Sequence, residues 1–411
     1  MAKKPNLPNS TPPRQPNVDL PIDPMEMGSK PTSNTKNTPL IDPGHPMNSA
    51  KKTARKRLSK KQWIIIVIIM VLLSGVAAGA YFWLKRSPDQ PAPVSLKEAE
   101  KTPEPPKLLP SSLTGVEVEP DKATTPVMAS IIENLSGPNA ARPQSGLSSA
   151  GVVYEALAEG GITRYLAIWQ LDTPTDIGPV RSLRPVFYNA AMEYQTPTAH
   201  AGGSADGIAL ARGGNGFRDL DEFLNSGGWF RRVNTRYAPH NLYITGEKLR
   251  ALVEKKGWAT PTTFTGWVRK SDQPAETPNA TTITVAFSSP DYQAVFAYDK
   301  ASNSYLRSIG GKPDTDVAAN GKQVSPKSVV VLSTVTTYGK QANGKPKTDI
   351  VTIGSGKGYI FQDGTVTEVT WQKKSASDRM VFLGPDNQPI ALNRGQTWVS
   401  VVPTNFPPTW K

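Results

Sequence analysis

Glu155 and Glu159 lie four residues apart, in or beside the apolar segments VVYEALA (152–158) and ITRYLAIWQL (162–171), and Arg164, Arg181 and Arg184 follow closely. The two carboxylates share a face on a strand, with Val153 and Leu157 beside them, and they share one on a helix as positions i and i+4. An unpaired buried charge costs several kcal/mol, so charges in such surroundings are paired or functional. Three uses fit these residue types: a structural ion-pair network, an anion- or sugar-binding pocket, and glycosidic hydrolysis by paired carboxylates. A second constellation is TAHAGGSADGIAL (198–210). Ser204 is a good helix cap, and Gly202-Gly203 ahead of a helix either simply turn the chain or leave amides free to hold an anion. A Ser204 nucleophile with His200 as base is a further use, although no G-x-S-x-G elbow is present. His240, in RYAPHNLYI, is the other histidine beyond the N-terminal tail. Two histidines and a carboxylate can ligate a metal, but H-E-x-x-H and H-x-x-x-H spacings are absent, so neither metal nor cofactor is expected. The lack of Cys removes thiolate nucleophiles, disulfides and Cys-bound zinc. GSGKG (354–358) lacks the spacing of a phosphate loop and is expected to form a β-turn.

The elements that must position these groups are short. VMASII (127–132) and the two segments around Gly160-Gly161 suit buried strands; RPVFYNAAMEY (184–194), ADGIALAR (205–212) and GEKLRALVEKK (246–256) suit helices, the last stopped by Gly257. Beyond about residue 280 the pattern becomes strand-rich: TITVAF, AVFAY, SVVVLSTVTTY, DIVTI, YIFQ, TVTEVTW and TWVSVV, with Asp363-Gly364 as a hairpin turn. The expected fold class is α+β: a mixed domain over 126–270, a linker over 271–280 and a β-rich domain over 281–405. Tyr359, Trp371 and Trp398 are available there for sugar stacking or for the core.

Trp63 to Leu84 is a run of 22 residues without a charge, enough to span a bilayer as one helix. Seven Lys and Arg lie in 51–61 and only Lys85 and Arg86 follow the run closely, so residues 1–62 are expected to be cytoplasmic and 85–411 extracytoplasmic. The tail (1–62) is rich in Pro, Asn, Ser and Thr and reads as disordered. It carries 12 Lys and Arg against 4 Asp and Glu, a net +8 of the chain's +13. The basic charge is therefore mostly a membrane-side feature, and no nucleic-acid partner is expected. Residues 85–125 contain eight prolines and read as a linker able to reach roughly 100 Å at about 3 Å per residue.

The strings ARPQSGL (141–147), VVYEALAEGGITRYLA (152–167), IGPVRSLR (177–184), HAGGS (200–204), GKGYIFQDG (356–364), TWQKKSASD (370–378) and LNRGQTWVSVVP (392–403) resemble the YerB-like family of bacterial envelope proteins over roughly 126–405. The resemblance implies two adjacent extracytoplasmic domains of unknown function and brings no established catalytic residues. Family lipoproteins are anchored through a modified Cys; this chain has none, so the helix at 63–84 is expected to anchor it at the plasma membrane. The expected role is a single-pass, membrane-anchored binding or regulatory module whose partner is a wall polymer or an envelope protein. The alternative is a wall hydrolase or modifying enzyme using Glu155 and Glu159 in an Arg/His-lined cleft.

Overall fold

The computed structural model describes residues 60–85, 107–138, 140–342 and 344–411. Nearly all of the expected disordered tail, and residues 86–106 of the expected linker, lie outside the described residues. The chain divides into two compact units, 1–100 and 101–411. The first holds α1 (Lys60–Leu84), whose stretch from Trp63 to Leu84 is long and apolar enough to cross a membrane and is unburied.

The second unit is mostly β. In chain order its principal strands are β1 (Met128–Glu133), β2 (Val152–Leu157), β3 (Thr163–Trp169), β4 (Thr198–His200), β5 (Asp219–Asp221), β6 (Thr282–Ala286), β7 (Gln293–Asp299) and β8 (Ser304–Ile309). There follow β9 (Lys312–Pro313), β10 (Ser328–Thr334), β11 (Gly354–Gln362), β12 (Thr365–Lys373), β13 (Val381–Leu383), β14 (Thr397–Pro403) and β15 (Thr409–Trp410). Its α-helices among the described residues are α2 (Pro185–Met192), α3 (Ala205–Arg212) and α4 (Gly246–Lys255).

A ten-stranded sheet runs β13-β12-β11-β10-β14-β2-β3-β1-β4-β5, and a five-stranded sheet runs β9-β8-β7-β6-β15. The last long strand, β14, lies between β10 and β2 and is parallel to both, pairing Val330 with Val399 and Glu155 with Ser400. Such placement requires an apolar run buried on both faces, and TWVSVVP is buried at every position. The expected succession of an α+β domain and a separate β domain is therefore replaced by two regions that share one sheet.

Alternation sends Val153, Leu157, Tyr165 and Trp398 to one face, under Ile283, Val285 and Phe296 of the second sheet and Leu249 of α4. Tyr154, Leu166, Ile168 and Val399 face the other way, under Phe187 and Ala191 of α2.

Three expectations shift at the boundaries. Order begins before Pro126: Leu109–Pro110 pairs with Glu117–Val118, and fully buried Leu113 donates its amide to Gln170 at 2.9 Å. Residues 271–280 are pinned rather than free, with Asp272 paired to Lys327 at 2.6 Å and Ala275 donating its amide to the Asp363 carbonyl at 3.0 Å. GSGKG is the first half of β11 and not a turn, and a Cβ at Gly356 would come within 2.6 Å of the Trp371 indole nitrogen. The hairpin at Asp363-Gly364 forms as expected, with both residues at positive φ (58° and 77°) and Gln362 paired to Thr365.

Candidate functional site

Glu155 points from β2 into the space between the sheets. Its Oε2 accepts from Arg307 Nη2 at 2.7 Å and Trp398 Nε1 at 3.2 Å, and its Oε1 from Thr163 Oγ1 at 2.9 Å and Asn134 Nδ2 at 3.5 Å. Arg307, on β8, also donates to Asp314, and its guanidinium lies 4.4 Å from the Trp398 ring centre. The three side chains are 0%, 0% and 2% exposed. Burial pushes Glu155 and Asp314 above the usual carboxylate range, against the pull of Arg307. Burial also opposes the charge on Arg307, but Glu155, Tyr165 and Asp314 hold it protonated and above its ordinary value.

Glu159 lies past the end of β2, in a short 3₁₀ turn at 159–161. It forms a bidentate pair with Arg184 Nε and Nη2 and lies 3.9 Å from Arg164 Nη2. It shares none of Glu155's hydrogen-bond partners. The expected convergence of two carboxylates in one Arg/His-lined cleft is thus absent: strand geometry carries Glu155 inward, and the turn carries Glu159 to the arginines.

The three arginines do gather. Arg181 donates to Glu133 at 2.9 Å, and His240 Nδ1 meets the other oxygen of Glu133 at 2.9 Å. Arg164 stands opposite Glu133 in the β1–β3 pairing and donates to the Ser182 carbonyl at 3.1 Å. Burial, with Arg184 and Arg181 adding repulsion, lowers Arg164 to about 9. Burial would raise Glu159, but its hydrogen bonds to Arg184 outweigh this and lower it. Glu133, Glu159, Arg164, Arg181, Arg184 and His240 form an ion-pair network of the kind that anchors chain segments.

His200 is fully buried, with Nδ1 against the Gly202 carbonyl and Nε2 against Asp219 Oδ1, both at 2.9 Å. Ser204 accepts from the Gly207 amide and caps α3. Both imidazole nitrogens are engaged elsewhere, so the expected Ser204–His200 arrangement is not formed. Gly202 donates its amide to Asp221, and Gly203 leaves too little room for a Cβ beside Ile208, so both glycines serve the turn. The ligating atoms of His200, Asp219 and Asp221 lie within 4.8 Å of one another, a donor set suited to a divalent metal. Arg212 already supplies a cation there, bonding Asp219 at 3.4 Å and Asp221 at 2.7 Å. The sequence reading missed this group because it is assembled by parallel pairing of β4 with β5.

It also missed a cleft. A volume of about 680 Å³ opens between residues 136–138 and 142–143 on one side and segment 309–315 on the other, with Ser136, Arg142, Asp291, Lys312, Asp314 and Thr315 among its lining residues. Arg142 is held by Asn134, which accepts from its Nε at 2.7 Å, and lies over the Tyr292 ring at 5.1 Å. Ser136 Oγ donates to Asp291 across the cleft at 2.9 Å. Trp371 and Trp398 are buried core residues and take no part in it.

Residues 113–259 match the "Protein of unknown function (DUF3048) N-terminal domain", and residues 283–399 match its C-terminal domain. The two cleft walls therefore come from the two matched regions. A "Putative lipoprotein YerB" of Bacillus subtilis (strain 168) is 31% identical over 320 residues, which is 75% of this chain and 91% of that protein. The crystal structure of the YerB protein from Bacillus subtilis aligns with a TM-score of 0.64 at 28% identity, covering 73% of this chain and 99% of that one. With both domains matched in order and such a relative covering three quarters of its length, the chain belongs to the YerB-like family, built from paired DUF3048 N- and C-terminal domains.

Proposed function

We propose that the protein is a membrane-tethered binding module of the bacterial cell envelope that holds a wall polymer, or else an envelope protein, in the cleft between its two family regions. The observation that carries this reading is the cleft itself. Its volume of about 680 Å³ falls in the ligand-site range, and its walls come from the two family regions, one following β1 of the ten-stranded sheet and the other on β8 and β9 of the five-stranded sheet. The relative named as a lipoprotein supports a place at the membrane. Here the chain has no Cys, and α1 supplies the tether, with residues 85–411 outside the cell. The hydrolase reading loses its support in Glu155, whose two oxygens are sealed from solvent and saturated with donors.

The test is sedimentation of the detergent-solubilised full chain with isolated cell-wall sacculi, alongside Ser136→Trp, which places an indole in the cleft. Sacculus binding that falls at least tenfold in the variant is expected. Undiminished binding by Ser136→Trp rules out the cleft, and sugar or peptide fragments in the supernatant by mass spectrometry would make the protein an enzyme.

A further inference from the structure

Resting on that reading, we infer that the cleft is built for a zwitterionic peptide, one carrying both carboxylate and ammonium groups, and so grips the peptide stems of the wall rather than its glycan or phosphate-bearing chains. The charges of the cleft are of both signs and come from both walls. Arg142, from the N-terminal region, uses Nε and Nη2 on Asn134, so its direction is fixed before any ligand arrives. Lys312, from the C-terminal region, is exposed on β9. Among the described residues neither cation makes an ion-pair contact with a carboxylate, and Arg142 acts on Asp314 only at longer range. Asp291 receives the Ser136 hydroxyl and no cation, whereas Asp314 is matched to Arg307. Two cations and one carboxylate are left to face a ligand.

Each class of wall component meets this set differently. A neutral glycan would exclude water from Arg142 and Lys312 without replacing it by an opposite charge, which costs several kcal/mol for a desolvated ion. A phosphodiester chain carries one sign only and would set it against Asp291 as well as toward the cations. A peptide with carboxylates and an amine gives each group its opposite. Pro138, Pro143 and Ile309 supply apolar wall between the charges.

The experiment uses the full chain in detergent bound to sacculi, with three soluble competitors prepared from the same wall: stem peptides released by an amidase, the peptide-free glycan strands, and the phosphate-bearing polymer released by acid. The stem peptides are expected to compete. Acetylating their amines or amidating their carboxylates should weaken competition at least tenfold. Lys312→Gln and Arg142→Gln should each lower affinity about tenfold for the native peptides and have little effect on the amidated ones, while Asp291→Asn should discriminate against the free amine alone. Lys312 is exposed, so Lys312→Gln reads the site even if Arg142→Gln disturbs the Asn134 contact. Competition by glycan or phosphate polymer but not by peptides, with Ser136→Trp still blocking sacculi, overturns the peptide class and leaves the cleft standing. Sacculus binding unaffected by Ser136→Trp removes the cleft, and this inference with it.

Discussion

Arg307 is one guanidinium between two buried carboxylates, and the two are not equivalent. Four donors converge on Glu155, which leaves it no place for a proton. Asp314 receives Arg307 alone and lines the cleft, so of the two carboxyls that burial raises it is the less firmly held in its charged form. Replacing Asp314 by Asn keeps an acceptor for Arg307 and should cost less than about 1 kcal/mol. Glu155→Gln turns an amide toward donors and should cost about 2–4 kcal/mol, and Arg307→Leu, which strands two carboxylates, about 3–5 kcal/mol. Denaturant unfolding at neutral pH ranks the three, and an Asp314→Asn loss as large as that of Arg307→Leu refutes the unequal pair. The pH dependence has a definite sign. A carboxyl whose folded pKa lies above its unfolded value stabilises fully below the unfolded value, near pH 4, and that contribution fades as pH rises through the folded value. Wild-type stability should therefore decline upward from about pH 4 relative to Asp314→Asn; parallel profiles would place the proton elsewhere. For Glu159 the shift is downward, so its contribution is present above about pH 4.3 and is lost as pH falls through its lowered folded value.

At the scale of elements, β14 joins the two family regions, because the same strand completes the pairing of β10 and of β2. Trp398 on it fills the space between the sheets, against Tyr165 at 5.4 Å and Phe296 at 6.4 Å between ring centres. Trp398→Ala should cost about 3–5 kcal/mol and lower the melting of both regions together. Calorimetry of the wild type should show one transition for residues 107–411; two resolved transitions, only one of them moved by Trp398→Ala, would show that the shared sheet does not couple them. Local pattern made most of these elements legible. VMASII, VVYEALA and TVTEVTW announce β1, β2 and β12 by composition and alternation, and Ser204 and Gly257 mark helix ends. What local pattern cannot carry is pairing across distance. Glu155 and Arg307 are 152 residues apart, and Ser136 and Asp291 are 155 apart. Both the fate of the carboxylate and the cleft depended on a topology that no spacing along the chain encodes. SVVVLSTVTTY shows the same limit, since it breaks at Val335 into β10 and a separate outer strand, Thr336–Lys340.

For the whole molecule, everything proposed for the cleft depends on which side of the membrane residues 107–411 occupy. The segment 51–61 holds seven basic residues and the far end of the apolar run only Lys85 and Arg86, an asymmetry from which the positive-inside rule predicts a cytoplasmic N-terminus. A chain without Cys permits a direct test, because any thiol introduced is unique. Ser377, exposed in the loop after β12 and bonded only to neighbouring Ser375, tolerates Cys without touching the core; Ser10 reports on the tail. In intact cells a membrane-impermeant maleimide should label Ser377→Cys, while Ser10→Cys should label only after lysis. The reverse pattern would put the cleft in the cytoplasm, where no wall polymer reaches it. Labelling of both in intact cells would mean that α1 does not span the membrane. Only the expected pattern leaves the cleft, at the end of its tether, facing the wall.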